Sequence, residues 1–261
     1  MVLETPLLSC RNVSKYFGAM AAVNDLTVDV HQGEIFGISG PNGAGKTTLF
    51  EVISGLSSAT EGTIIFDGRE ITDSQPQKIC QLGLSRVFQS NACFDSLTVR
   101  ENISVGAIYG VANGPLVPLY TQQQTLERIE FTLQKVGLGD KGDHIAANLS
   151  VLDRKRLMFA AALSSNPKLL LLDEPVGGLN SHEMDHIVRL VSDIAKSGVT
   201  IVLIEHVMRF MVQLATRVLI MHHGEEIFIG LPEDLPRDER VAEVYLGKEA
   251  TKSLERFFTK Q

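Results

Sequence analysis

IFGISGPNGAGKTTLF, residues 35–50, sets the frame in which the rest of the chain is read. An apolar run enters a glycine-rich loop, and the loop leads into a helical pattern from about Lys46 to Ile53. Gly40-x-x-x-x-Gly45-Lys46-Thr47 is the P-loop pattern, and it lies between strand and helix as its mechanism requires. Backbone N–H groups freed by the glycines wrap phosphate oxygens, and the helix N-terminus adds partial positive charge. Asn42, Gly43, Ala44, Gly45, Lys46, Thr47 and Thr48 are therefore the candidate phosphate-binding residues. Lys46 is placed to reach the β- and γ-phosphates, and Thr47 to hold Mg²⁺. Alone, this motif says only that a nucleoside triphosphate binds.

Outward from the loop, short β-branched runs alternate with helical patterns, which predicts an α/β protein with a largely parallel sheet. Strands are expected at Leu7–Val13, Leu26–Val30, Glu34–Ser39 and within GTIIFDG. Residues 98–163 read as an inserted helical subdomain, with Gly110, Gly114, Pro115 and Pro118 separating two helical stretches. After it come a strand, LLLLDE, and a helix, SHEMDHIVRLVSDIAKSG. That helix aligns Ile187, Leu190, Val191 and Ile194 on one face and is ended by Gly198. TIVLIEH is a further strand, and RVLIMHHGEEIFIG a hairpin turning near His223–Gly224. The whole, 1–261, reads as one nucleotide-binding domain with a tail at 248–261.

Of the 261 residues, 44% are hydrophobic, enough for a sizeable core, yet no run approaches the ~20 needed to span a bilayer. The N-terminus lacks the layout of a signal peptide. A soluble cytosolic chain is expected, with Cys10, Cys80 and Cys93 as reduced thiols. The net charge of −7 argues against a nucleic-acid partner. Adjacent His222 and His223 are expected on opposite faces of a strand, which disfavours a metal pair.

A second acidic site follows from LLLLDEP: four leucines form a buried strand that ends in Asp173 and Glu174. Ligands of open α/β sheets bind at the carboxyl ends of strands, so Asp173 suits Mg²⁺ and Glu174 suits a general base. Taken together, these residues resemble the nucleotide-binding subunit of an ABC transporter. Further elements fit that family in order, from about Leu7 to Gly247. Phe88-Gln89 before LTVREN resembles the Q-loop, Gly178-Leu179-Asn180 the D-loop, and His206 the switch histidine. Phe17, in Tyr16-Phe17-Gly18, lies where the family stacks adenine, with Tyr16 as competitor. The resemblance implies an ATPase using ATP and Mg²⁺, with Glu174, His206, Gln89 and Lys46 catalytic and Thr47, Gln89 and Asp173 at the metal.

The family's LSGGQ signature is replaced by LSVLD at residues 149–153. Ser150-x-x-Asp153 is a capping-box-like pattern, so Ser150 is expected to begin a helix running through Leu163 and to face nucleotide. Val151 and Leu152 add bulk where glycines allow close approach. Asp153 is expected to bring a negative charge near the triphosphate, partly offset by Arg154. A weakened trans contact is the expectation; a purely structural helix is the alternative.

SRVFQ, IEHVM, GLN and RVAEVYLG look like the ATP-binding subunits of branched-chain amino acid type importers. By that resemblance the partners are membrane permease subunits, a second ABC ATPase subunit as homo- or heterodimer, and indirectly an external solute-binding protein. The chain would sit peripherally on the cytoplasmic side of the cell membrane. The competing readings are a non-transport ABC ATPase and a regulatory subunit that binds ATP and dimerises with weak hydrolysis. An unrelated P-loop kinase or GTPase leaves Gln89, Asn180 and His206 unexplained.

Overall fold

The computed structural model describes residues 5–90, 92–110 and 122–246, with Thr251, Leu254, Phe257 and Phe258 beyond. The Gly114, Pro115 and Pro118 break, Gly247 and most of the 248–261 tail lie outside the described residues. In chain order the first elements are β1 (Leu8–Phe17), β2 (Met20–Val30), β3 (Ile35–Ser39), α1 (Lys46–Ile53), β4 (Glu61–Phe66) and β5 (Arg69–Glu70). Then come α2 (Pro76–Leu82), β6 (Leu84–Val87), α3 (Val99–Tyr109), α4 (Gln122–Val136), α5 (Val151–Leu163), β7 (Leu169–Asp173) and α6 (Ser181–Lys196). The last are β8 (Thr200–Ile204), α7 (Met208–Leu214), β9 (Arg217–His222), β10 (Glu225–Gly230) and α8 (Glu239–Val241), which runs into a wide turn, Ala242–Leu246. The chain divides into two compact units, one of Met1–Asp73 with Thr200–Gln261, the other of Ser74–Val199.

In the first unit β1 pairs antiparallel with β2 and β4, and β4 with β5. A second set of strands is mostly parallel: β3 lies between β8 and β9, parallel to both, and β10 returns antiparallel along β9. All five residues of β3 are buried, which is why its sequence is a continuous apolar run instead of an alternating one. The β9–β10 hairpin turns at His223 and Gly224, both with positive φ (50° and 84°), as the favoured two-residue hairpin turns demand. His223 has thereby left the strand. Its ring packs on that of His222 with centroids 4.0 Å apart, which corrects the expectation of opposite faces. No group of three or more metal-binding side chains occurs among the described residues.

In the second unit β6 and β7 run parallel, Leu84 opposite Leu169 through Val87 opposite Leu172. Leu169 to Leu172 are fully buried, each stabilising the fold by roughly 1.5–3 kcal/mol. Helices α3, α4 and α5 pack on one another. A capping box opens α3: Thr98 Oγ1 accepts from Glu101 N, and Glu101 Oε2 accepts from Thr98 N. The face of α6 read from its spacing, Ile187, Leu190, Val191 and Ile194, is the buried one. Gly198 follows that helix at φ 94°. The sequence reading had no element at α2, β6 or α7. These are four to seven residues long, too short for a period to emerge, and β6 carries Arg86 inside an otherwise buried run.

The three cysteines are free thiols. Burial pushes the Cys10 thiol up to about 12, so it is inert at neutral pH.

Candidate functional site

The phosphate loop lies in the first unit. Gly45 is the N-cap of α1 at φ 97°, and a Cβ there would sit 2.0 Å from the Ala22 carbonyl oxygen of β2. Only glycine fits so close to another backbone. Gly43, at φ 80°, instead meets nothing within 4 Å, so its backbone is open to a ligand. With glycine as N-cap, no side chain caps α1, and no acidic residue lies in its first turn. Its N–H groups and dipole therefore favour an anion. Lys46 Nζ donates to Gly40 O and Pro41 O, 2.8 Å each, folding the ammonium back over the loop. Asn42 and Thr47 are exposed, Thr48 is half-buried and Ala44 is buried.

Two further candidates share that unit. Ile204 of β8 pairs with Ile38 of β3, and Glu205 N donates to Ile38 O. The β8 strand therefore ends beside the start of the phosphate loop. The buried Glu205 carboxylate accepts from His206 N (3.0 Å) and Val207 N (3.2 Å), organising the turn that carries His206. At the end of β1, Phe17 is 49% exposed with Lys15 Nζ 5.1 Å from its ring centroid. Tyr16 is half-buried, and its hydroxyl bonds Asn24 Oδ1 at 3.3 Å. Of the two aromatics, Phe17 is the one with a face to offer. Its hairpin, β1–β2, also carries Ala22, the neighbour of Gly45.

The carboxylate site belongs to the second unit. Asp173, 2% exposed at the end of β7, accepts from Arg86 at 2.6 Å through Oδ2. Its other oxygen, Oδ1, is buried without a hydrogen-bond partner. An orphaned buried carboxylate oxygen is costly unless a ligand satisfies it, and a hydrated divalent cation would. Beside it, Gln89 Nε2 donates to Glu174 Oε2 at 2.5 Å. Glu174 adopts φ 46°, left-handed and unusual for this side chain. Its carbonyl accepts from Gly177 N (3.2 Å) and from the buried ammonium of Lys155 (3.3 Å), which also reaches Gln89 O (3.4 Å). Downstream of Gln89, buried Asn102 accepts from Phe94 N and donates back to Phe94 O. Sequence reasoning missed Arg86 and Lys155. The available signal was a charge inside a buried strand or on the inner face of a helix.

The start of α5 differs from expectation in one respect. Ser150 is its N-cap and accepts from Asp153 N at 3.1 Å. Asp153, however, does not face outward with its charge. It is 6% exposed and accepts from Lys141 Nζ (2.6 Å) and Arg156 (3.2 Å). Burial alone would raise its pKa, but Lys141, Ser150 and Arg156 outweigh it and hold the carboxyl below the usual range. Arg154 is likewise engaged, with Asp95 at 2.8 Å. What the helix start exposes is Ser150 together with an apolar side chain, Val151, which is 53% exposed. Asn180 is the N-cap of α6, in a capping box with Glu183.

A phosphate cradle on a strand–helix junction and a buried strand ending in two carboxylates define a P-loop nucleotide-binding protein of the ATPase class. A family model described as ABC transporter matches residues 23–177, and the chain belongs to that family. It is 32% identical to the high-affinity branched-chain amino acid transport ATP-binding protein LivG of Salmonella typhimurium, over 94% of this chain and 100% of LivG. It is 31% identical to the lipopolysaccharide export system ATP-binding protein LptB of Haemophilus influenzae, over 93% of this chain and 98% of LptB. Among solved structures, an ATP-binding cassette of an ABC transporter in its ADP conformation is similar at TM-score 0.84 and 29% identity, over 94% of this chain and all of that one. The chain is thus the ATPase subunit of a transporter, hydrolysing ATP to drive transport. ATPase subunits of such transporters pair with membrane permeases. No helix among the described residues is long and apolar enough to cross a membrane.

Proposed function

We propose that this chain powers an importer for branched-chain or other amino acids, or related small polar solutes, from the cytoplasmic face of the cell membrane. End-to-end similarity to LivG carries this reading. Similarity to LptB is also end to end, so direction of transport is part of the proposal. The chain is read as one nucleotide-binding domain with residues 98–163 as a helical insertion. Its partners are two permeases, a second ABC ATPase subunit of the same or different sequence, and an external solute-binding protein that the permeases meet. No nucleic acid is involved.

In this proposal Asn42 to Thr48 cradle the phosphates, Lys46 swings from the loop carbonyls to the β- and γ-phosphates, and Phe17 stacks on adenine. Thr47, Asp173 and Gln89 would hold Mg²⁺, which would supply positive charge against the phosphates. The Asp173 oxygen without a partner supports that assignment. Glu174 orients and deprotonates the attacking water, with Gln89 fixing its carboxylate. His206 donates to the γ-phosphate as negative charge builds. The products are ADP and phosphate. Ser150 and the α5 N-terminus face the nucleotide of the partner subunit, weakly, because Val151 stands in the way. That exposed valine is also what favours the second reading, a regulatory subunit with slow hydrolysis.

The test is ATP-dependent leucine uptake into vesicles holding the assembled transporter, with Glu174→Gln and Lys46→Ala forms alongside. Glu174→Gln is expected to bind ATP and lose turnover, and Lys46→Ala to lose binding. Full uptake with Glu174→Gln refutes the assignment of the base; efflux instead of uptake refutes import.

A further inference from the structure

One hydroxyl near the C-terminus reaches the root of the phosphate loop. Ser39, the last residue of β3, is fully buried. Its hydroxyl donates to the Glu205 carbonyl at 2.6 Å, which uses its single proton. Tyr245 Oη lies 2.7 Å from the same Ser39 oxygen, and since Ser39 has no second proton, the phenol must be the donor. The result is a directed chain from Tyr245 Oη–H to Ser39 Oγ–H and on to the Glu205 carbonyl. Burial raises the Tyr245 pKa above the usual phenol range even against the Ser39 bond, so the proton that the chain needs stays in place at neutral pH.

Both residues that this chain joins, Ser39 and Glu205, matter. Ser39 leads directly into Gly40, which begins the phosphate loop and whose carbonyl holds Lys46 Nζ at 2.8 Å. Glu205 organises, through its carboxylate, the turn bearing His206. We infer that Tyr245, on the turn after α8, is a positioning residue that locks the root of the phosphate loop to the switch-histidine turn and so tunes nucleotide affinity. The inference rests on the assignment of the loop as the ATP site. It gives the C-terminal segment of the domain a part in nucleotide binding without any contact to nucleotide.

The experiment measures ATP and ADP dissociation constants, and KM and kcat for ATP, on the full chain and its Tyr245→Phe, Ser39→Ala and double variants. Phenylalanine keeps the ring and removes only the hydroxyl. Losing one net hydrogen bond in the chain is expected to weaken ATP affinity and raise KM by about 3–10-fold. The double variant is expected to lose no more than either single one, because both break the same chain. A purely structural role would lower the melting temperature of all three and leave the dissociation constants of the folded protein unchanged. Unchanged constants in folded Tyr245→Phe, or additive losses, overturn the inference; should that variant not fold, unchanged constants in Ser39→Ala do so. If the wild-type chain fails to bind ATP, the underlying site assignment fails first and the inference with it.

Discussion

Replacing Asp153 with Gln, the residue of the usual signature, is expected to harm the protein. The carboxylate is nearly buried and takes hydrogen bonds from Lys141 and Arg156. Hydrogen bonds to charged groups are worth about 1.5–3 kcal/mol each, but both cations are partly exposed and screened, and a Gln oxygen keeps one weaker bond. Asp153 also lies in the first turn of α5, where a negative charge adds about 0.3–1 kcal/mol. Asp153→Gln should therefore cost about 1.5–3 kcal/mol, lowering the melting temperature by roughly 3–10 °C for a domain of this size. The sign with pH is fixed. A carboxyl held below its ordinary pKa contributes stability in full above the unfolded value, ~3.9, and loses it as pH falls through the lower folded value. The gap between wild type and variant is thus constant near neutrality and narrows only below about pH 4. Calorimetric melts from pH 4 to 8 test this. Equal melting temperatures at pH 7 would refute the reasoning. A functional arm follows: in the assembled transporter, Val151→Gly with Leu152→Gly raises ATPase more than the triple change that also replaces Asp153. A triple variant that outperforms the pair would mean the carboxylate impedes nucleotide after all.

Two further outcomes are expected from single residues. Phe17→Ala should weaken ATP binding by about 1–2 kcal/mol, roughly 5–30-fold, through lost stacking, while Tyr16→Phe changes it little; fluorescence titration distinguishes them, and the reverse order would move the adenine platform to Tyr16. Arg86→Ala strands the buried Asp173 carboxylate and is expected to cost about 3–5 kcal/mol in urea unfolding; a loss under 1 kcal/mol would show that water reaches that site.

How far the sequence could be read depended on whether a residue's environment is local. The phosphate loop was legible because its glycines serve a local backbone path between adjacent elements, and the inner face of α6 because four apolar positions share one helical period. The LLLL run was legible as a buried strand, and so was the acid at its end. Arg86 and Asp153 were not. Arg86 pairs with Asp173, 87 residues away, and Asp153 takes Lys141, 12 away, besides the nearby Arg156; spacing along the chain carries no record of the distant pairings. A pattern that ordinarily means an exposed charge thus hid a buried ion pair: of the two obstacles read in the signature, the bulk of Val151 is exposed and the charge of Asp153 is not. Tyr245 hid for the same reason: its partner, Ser39, is 206 residues away.

Glu174 shows why such distant pairings bear on chemistry. A left-handed backbone costs a glutamate about 1–2 kcal/mol, and the following Pro175 narrows its choices further. A side chain on a strained backbone relaxes unless its surroundings fix it, so strain at the proposed base needs a holder. Three groups supply it: Gly177 N–H and the Lys155 ammonium on the carbonyl, and the Gln89 amide on the carboxylate. Lys155 comes from α5, the helix that begins with LSVLD, and it bonds Gln89 O as well. The signature helix, the glutamine and the glutamate are therefore one mechanical group within their unit. A shift of α5 against a partner's nucleotide would be felt at Glu174 through that ammonium, whatever residues occupy positions 151 and 152. In the proposed reading, the altered signature would change how strongly α5 is pulled and would leave this linkage to Glu174 intact.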